Sequence, residues 1–161
     1  MVRPYEPGDA DALWELKRGF ETGLGEGTGS EEKREQYDAK LTDEYRERWL
    51  DWVARCVDEN ERCVQVAERD DGTPVGYAFV LPESLSFVWD AAVLNEIYVE
   101  SPHRGSGVSD DLMAAALEVA RDQNLPLDRM VLDVDRENER AQAFYERYGF
   151  EHWGELVARD V

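Results

Sequence analysis

Residues 95–109 are the segment that most restricts how this chain can fold. They predict a strand that passes through a glycine-containing turn directly into a helix, in the order Asn-Glu-Ile-Tyr-Val-Glu-Ser-Pro-His-Arg-Gly-Ser-Gly-Val-Ser. Such a turn leaves backbone N–H groups unpaired at the start of the helix, and its glycines allow a phosphate to approach closely. The segment therefore predicts an anion-binding turn, with an ordinary strand-to-helix loop as the alternative.

Two common nucleotide-binding loops do not fit this segment. A Walker loop requires Gly-Lys followed by Ser or Thr, and these residues do not follow the turn. A dinucleotide-binding turn requires a third glycine at the position that Asp110 occupies.

The length of 161 residues fits one domain, 1–161. A chain of this size buries roughly 70% of its unfolded surface, so it needs neither disulfides nor a structural metal. Cys56 and Cys63 have no second pair, and we expect two reduced core residues and no metal site. No run of about 18 apolar residues and no hydrophobic leader is seen, which predicts a cytoplasmic protein without a membrane span.

The charge is strongly acidic, with 37 acidic and 18 basic residues and a formal net charge of −19. The acids are spread along the sequence, so most of them must lie on the surface. The negative electrostatic field of these acids disfavours nucleic acid as a partner, because nucleic-acid phosphates bind to Lys and Arg. Only three basic residues are Lys, against fifteen Arg. The composition favours a halophilic protein over an ordinary acidic mesophilic one.

The first half of the chain predicts one strand and two helices. Residues 2–5 read as an edge strand, and Asp9 is placed to cap the helix that follows. Residues 22–30 contain four glycines at alternating positions and predict a loop. Apolar residues recur at three-to-four spacing over 31–58, which predicts one amphipathic helix.

The second half predicts strands first and then alternating helices and strands, which indicates an α/β fold. The predicted strands are 62–68, 74–81, 87–99 and 130–134, the helices are 108–122 and a last one ending at Gly149, and residues 70–73 form a turn.

Two sequence blocks together resemble one known family. The first is Arg104-Gly-Ser-Gly-Val-Ser109, and the second is Asn138-Glu-Arg-Ala-Gln-Ala-Phe-Tyr-Glu-Arg-Tyr-Gly-Phe150. They resemble the pyrophosphate loop and the C-terminal signature of the GNAT superfamily of N-acetyltransferases, over about residues 92–150. The resemblance implies an α/β (α+β) fold with a mixed, largely antiparallel sheet and helices on both faces.

The resemblance also implies acetyl-CoA as co-substrate and the parts of the chain that hold it. Backbone N–H groups of 104–109 would bind the pyrophosphate, the strand edge at 97–99 would pair with pantetheine, and an amide near Val99 could polarise the thioester carbonyl. The cofactor-binding residues are then Ile97, Tyr98, Val99, Arg104, Gly105, Ser106, Gly107, Val108, Ser109, Asn138 and Tyr145.

Two residues are candidates for catalysis. Glu96 lies in an otherwise apolar strand and could take the proton of an amine, or it could be a structural carboxylate tied to a neighbour. The family's Tyr at position 145 can protonate the leaving thiolate, while its place on an apolar stripe also fits core packing.

Other residues have two interpretations each. Asn138 suits a helix N-cap and, by the resemblance, a cofactor contact. Three aromatic residues fit either the core or an acceptor pocket: Tyr37, Tyr45 and Trp49. Arg136 and Arg140 fit either surface ion pairs or a positive spot for phosphates.

Two features depart from the family's pattern. Asp110 and Asp111 would repel a pyrophosphate, so we expect them to point away from the turn. The eleven residues after Phe150 allow one strand or a short hairpin.

The predicted function is direct transfer of an acetyl group to a primary amine of a small-molecule or protein acceptor. The acidic surface favours cationic amines. The alternative is a non-catalytic acyl-CoA-binding or interaction module on the same fold. We expect a monomer or homodimer.

If the acidic surface is an adaptation to salt, the unfolding temperature should rise steeply between dilute buffer and molar KCl, because salt screens repulsion between carboxylates. Thermal unfolding followed by circular dichroism measures this directly. An unchanged unfolding temperature would indicate an ordinary acidic protein.

Overall fold

The computed structural model describes residues 1–27 and 31–161. Within these ranges the chain forms five strands and six α-helices. The strands are β1 Val2–Pro4, β2 Val64–Glu68, β3 Pro74–Val80, β4 Ala92–Val99 and β5 Met130–Val131. The helices are α1 Ala10–Gly27, α2 Glu31–Ala39, α3 Asp43–Glu59, α4 Glu83–Ser86, α5 Val108–Arg121 and α6 Glu139–Glu146.

The strands form one sheet in the order β1-β2-β3-β4-β5. Neighbouring strands from β1 to β4 are antiparallel, whereas β4 and β5 are parallel. The parallel pair is short, because only Ala92 and Val93 of β4 face residues of β5. The prediction of a mixed, largely antiparallel sheet is confirmed.

Helices cover both faces of the sheet, as the sequence predicts. Alternate residues of β3 point to opposite faces: Tyr77 and Phe79 pack with α1 and α3, and Ala78 and Val80 pack with α5. The aromatic residues of α6 lie against the core on the α5 side. Two buried clusters, one on each face, therefore hold the sheet between the helices.

Cys56 and Cys63 are both buried and free, which confirms the prediction of two reduced core residues. Burial raises the pKa of the Cys56 thiol to about 11 and that of Cys63 to about 12. In the described ranges, no three side chains of His, Cys, Asp or Glu come together as a metal site. None of the described helices is long and apolar enough to cross a membrane.

Three predictions for the first half are wrong. Helix α1 continues through residues 22–27 in spite of the low helix propensity of glycine; residues 28–30 lie outside the described ranges. The single helix predicted over 31–58 is two helices, since the side chain of Thr42 accepts a hydrogen bond from the Tyr45 amide and begins α3. Asp9 does not cap α1, because its carboxylate binds Arg3 and the Glu6 amide.

The second half also differs from prediction in three places. The strand predicted over 87–99 begins only at Ala92, after Asp90 turns the chain with a φ of 55°. The strand predicted over 130–134 is limited to Met130–Val131, because the chain then leaves β4. Residues 151–161 form no strand and are exposed. Their Trp153 ring instead stacks on the guanidinium of Arg129, at 4.3 Å.

Gly76 allows β3, β4 and α5 to approach closely. A Cβ atom there would lie 2.7 Å from the carbonyl oxygen of Tyr98 and 3.2 Å from Cδ1 of Leu112. A backbone atom cannot rotate away, so Gly76→Ala should lower the free energy of unfolding by about 1–3 kcal/mol. Urea denaturation measures this change. Gly8→Ala is the control, because a Cβ at Gly8 meets no atom within 4 Å; an equal effect of both variants would contradict the packing argument.

Candidate active site

The first part of the site is the edge of β4 that faces away from β3. Strand β5 covers this edge only as far as Val93. The Glu100 amide donates to the Val75 carbonyl, at 2.9 Å. By the alternation of an antiparallel pair, the backbone groups of Ile97 and Val99 then point to the open edge. The structure thus presents a strand edge that no neighbouring strand covers and that can bind an extended polar ligand.

The second part is the turn that follows β4. Gly105 and Gly107 have φ values of 77° and 91°, a conformation that disfavours residues with a Cβ atom. A Cβ atom at either position would meet no protein atom within 4 Å, so the space above the turn is open. Among the described residues, no acceptor binds the backbone N–H groups of residues 105–110. Unpaired donors at the start of a helix can bind an anion, which is the role predicted for this turn.

Arg104 is fixed between β4 and this turn. Its Nε donates to the Val99 carbonyl at 2.9 Å, and its guanidinium lies 5.6 Å from the centre of the Tyr98 ring. Burial lowers the pKa of Arg104, and repulsion by Arg140 lowers it further. Two guanidinium groups therefore lie close together beside the turn, which favours an anion there. Arg136, in contrast, forms an ion pair with Glu155.

The two carboxylates at the start of α5 differ in their surroundings. Asp110 forms an ion pair with Arg147 at 2.9 Å and accepts a hydrogen bond from the Tyr148 hydroxyl. Asp111 is exposed. The charge of Asp110 is therefore compensated by residues from the end of α6, next to the turn.

Two more candidate residues are the N-cap of α6 and a residue within that helix. The Asn138 side chain accepts a hydrogen bond from the Ala141 amide, which confirms the N-cap prediction. Tyr145 packs edge-on against Phe144 and Phe150, with ring centres 5.4 and 5.8 Å apart. Burial raises the pKa of Tyr145 to about 12, so its hydroxyl keeps its proton at neutral pH. Its role as an acid stays a prediction.

Glu96 lies on the opposite face of the sheet, towards α1. It is only 7% exposed, and both carboxylate oxygens have a donor. The Tyr77 hydroxyl donates to Oε1 at 2.8 Å, and the Lys17 ammonium donates to Oε2. Burial raises the pKa of Glu96, while Lys17 and Tyr77 oppose this change. Burial likewise raises the pKa of Tyr77, and the charge of Glu96 adds to it.

Lys17 connects Glu96 to a second buried carboxylate. Its Nζ atom lies 2.5 Å from Oε1 of Glu21, and the Lys40 ammonium lies 2.8 Å from the other oxygen of Glu21. Burial acts against the charge of Lys17, but Glu96 and Glu21 outweigh it and raise its pKa. Four charges of alternating sign thus run from the half-exposed Lys40 to the buried Glu96.

Aromatic rings enclose this row of charges. The Lys17 ammonium lies 5.1 Å from the Trp49 ring, 5.3 Å from the Phe20 ring and 6.0 Å from the Tyr45 ring. The Lys40 ammonium lies 5.1 Å from the centre of the Tyr37 ring. Tyr45 and Trp49 also pack on Trp14, so these two residues belong to the core as well as to the surroundings of Glu96.

Four residues of this row and its surroundings are not predicted from the sequence: Lys17, Glu21, Lys40 and Tyr77. A signal was present, because Leu13, Lys17 and Glu21 follow one another at four-residue spacing on α1. Charges at positions of an apolar stripe point to a buried pair.

Comparison with known proteins agrees with this fold. The sequence profile of the acetyltransferase (GNAT) family matches residues 28–150, most of the chain. The chain belongs to the GNAT family.

Similar proteins include enzymes with different acceptors in their names. A mycothiol acetyltransferase of Salinispora tropica is 42% identical over 70 residues, which are 42% of this chain and 22% of the relative. The chain spans about a fifth of the length of such curated relatives.

Solved structures are similar over nearly the whole chain. The PaiA N-acetyltransferase of Thermoplasma acidophilum, in complex with coenzyme A, has a TM-score of 0.73 at 20% identity, with 94% of this chain and 89% of that chain covered. A ribosomal-protein-alanine N-acetyltransferase of Brucella melitensis has a TM-score of 0.68 at 27% identity, with 96% and 86% covered.

Proposed function

We propose that this protein is an acetyl-CoA-dependent N-acetyltransferase that transfers an acetyl group directly to a primary amine. The observation that carries the proposal is the open edge of β4 leading into a turn with six consecutive unpaired N–H groups, 105–110. The coenzyme A complex of the similar Thermoplasma enzyme supports the choice of cofactor.

The residues of the turn and strand fit the two polar parts of acetyl-CoA. The N–H groups of 105–110, with Arg104 and Arg140 beside them, suit the pyrophosphate. The backbone of Ile97 and Val99 suits the amide groups of pantetheine. Acetyl-CoA supplies the activated thioester.

The proposed roles of this chain's residues follow from their positions. An amide at the end of β4 donates to the thioester carbonyl and stabilises the developing oxyanion. Glu96, directly or through water, accepts the proton of the amine as the C–N bond forms. Tyr145 gives a proton to the thiolate as the C–S bond breaks.

The acceptor is proposed only as a class, a cationic primary amine on a small molecule or a protein. The net charge of −19 supports this class, because it attracts cations over the whole surface. The similar proteins include a mycothiol acetyltransferase and a ribosomal-protein-alanine N-acetyltransferase, and these different names do not narrow the choice of acceptor. A monomer or homodimer, cytoplasmic location and halophilic origin stay predictions.

Gly107→Asp should abolish acetyl-CoA binding, because it places bulk and negative charge in the open space above the turn. Isothermal titration calorimetry measures this loss. Gly72→Asp is a matched control: Gly72 also has positive φ, 84°, and open space around its Cβ position, but it lies in the β2–β3 turn. Equal affinity of the two variants would contradict the assigned pyrophosphate site.

Glu96→Gln should lower kcat by roughly 10² to 10⁴, with acetyl-CoA affinity nearly unchanged and a smaller loss at high pH, where amines lose their proton in solution. Tyr145→Phe keeps the ring and should lower kcat without lowering the unfolding temperature much. Steady-state kinetics over pH and thermal unfolding test both. Full turnover of Tyr145→Phe would remove the acid role, and an unaltered pH profile of Glu96→Gln would assign the base to water or another residue.

A further inference from the structure

The row Lys40–Glu21–Lys17–Glu96 carries equal numbers of positive and negative charges inside the protein. Lys17, Glu21 and Glu96 are each less than a tenth exposed. An unpaired charge in such surroundings is very unfavourable, so the row is stable only while its charges balance. If the row had only a structural role, it would not need to end at Glu96, the carboxylate that acts as base in the proposed reaction.

Lys17 has both charged and aromatic neighbours. Two carboxylates bind its ammonium group, and the rings of Phe20, Tyr45 and Trp49 lie on its other sides. A desolvated ammonium in contact with aromatic rings is bound strongly. The carboxylate of Glu96 is in turn fixed by Lys17 at one oxygen and by Tyr77 at the other.

We propose that Lys17 is a positioning residue for acetyl transfer, which fixes the Glu96 carboxylate and keeps it ionised so that it can accept the proton of the acceptor amine. This inference rests on the proposed function. Lys17 itself keeps its proton throughout. The proton moves from the amine nitrogen to Glu96 as the C–N bond forms, and the thiolate of CoA leaves with the electrons of the C–S bond.

The electrostatics of the site agree with this role. The groups that face Glu96 are Lys17 and Glu21 from α1, Tyr77 from β3 and Tyr45 from α3, with Lys40 behind Glu21. Burial and Glu21 favour the protonated form of Glu96, whereas Lys17 has the largest opposing effect on its pKa. A base must be deprotonated to act, so loss of Lys17 should move the acidic limb of the pH–rate profile to higher pH.

The test needs a variant that removes Lys17 without leaving an extra buried charge. Lys17→Met alone leaves one negative charge in excess and is expected to lower the unfolding temperature. The double variant Lys17→Met/Glu21→Gln restores equal numbers of charges, because one cation, Lys40, and one carboxylate, Glu96, then remain in the row. Glu21→Gln alone keeps the Lys17–Glu96 pair. Arg62→Gln, which removes an exposed ion pair with Asp122, is the control for loss of a cation.

Each variant is assayed for acetyl-CoA consumption over pH, with spermidine, kanamycin and a peptide with N-terminal alanine as acceptor probes. In the double variant we expect a near wild-type unfolding temperature and acetyl-CoA affinity. We also expect an acidic limb of kcat/KM that lies about one pH unit or more above that of the wild type, with rates converging at high pH. Glu21→Gln and Arg62→Gln should show no such upward movement.

A double variant that folds, binds acetyl-CoA and keeps the wild-type acidic limb would overturn the role of Lys17 while leaving the proposed function intact. If the double variant fails to fold, the single variant Lys17→Met decides: a folded Lys17→Met protein with the wild-type acidic limb of kcat/KM would also overturn the role of Lys17. A wild-type protein that binds acetyl-CoA but acetylates none of the three probes would instead contradict the proposed function, and the role of Lys17 with it.

Discussion

The separation of β4 from β5 after only two paired residues is the constraint on which the candidate site depends. Buried or ordered backbone groups are normally paired, and a strand edge without a partner is an attachment point for another chain or an extended ligand. Here the open edge at Ile97 and Val99 continues directly into a turn whose N–H groups are also unpaired. Backbone groups that no neighbouring strand pairs therefore run along one side of the sheet, with the Val99 carbonyl bound by the Arg104 side chain. This arrangement matches a ligand that is extended at one end and anionic at the other.

On its α1 side, β4 makes contacts through buried side chains and ion pairs instead of through backbone groups. There the sheet side chains Tyr77, Phe79 and Glu96 meet α1 and α3. Glu96 is retained in this core at an energetic cost, because ion pairs of this kind rarely stabilise a fold more than well-packed apolar side chains do. Lys17 and Glu21, one helical turn apart on α1, offset part of that cost by completing a balanced row with Lys40. In the proposed function, the strand therefore has two roles: its edge binds the cofactor through backbone groups, and its α1 side positions a carboxylate.

Three parts of the fold and site could be predicted from the sequence, because their signals are local. The glycines at 105 and 107 require positive φ, the periodicity over 108–122 defines α5, and Asn138 caps α6 as its residue type suggests. The cap at Thr42 is also a local signal, but the apolar periodicity continues across it and hides the break between α2 and α3. The extension of α1 through residues 22–27 runs against the low helix propensity of its glycines, so residue type alone does not predict it. The Lys17–Glu96 pair joins residues 79 positions apart, so only the tertiary fold brings it together.

The central claim is that the turn at 104–109 binds the pyrophosphate of CoA through its free N–H groups. Calorimetric titration of the wild-type protein with CoA and with pantetheine, which lacks the pyrophosphate, tests it most directly. Two or more hydrogen bonds to a charged phosphate, each worth about 1.5–3 kcal/mol, predict that CoA binds about 100-fold more tightly or better. Equal affinities for CoA and pantetheine would contradict the account.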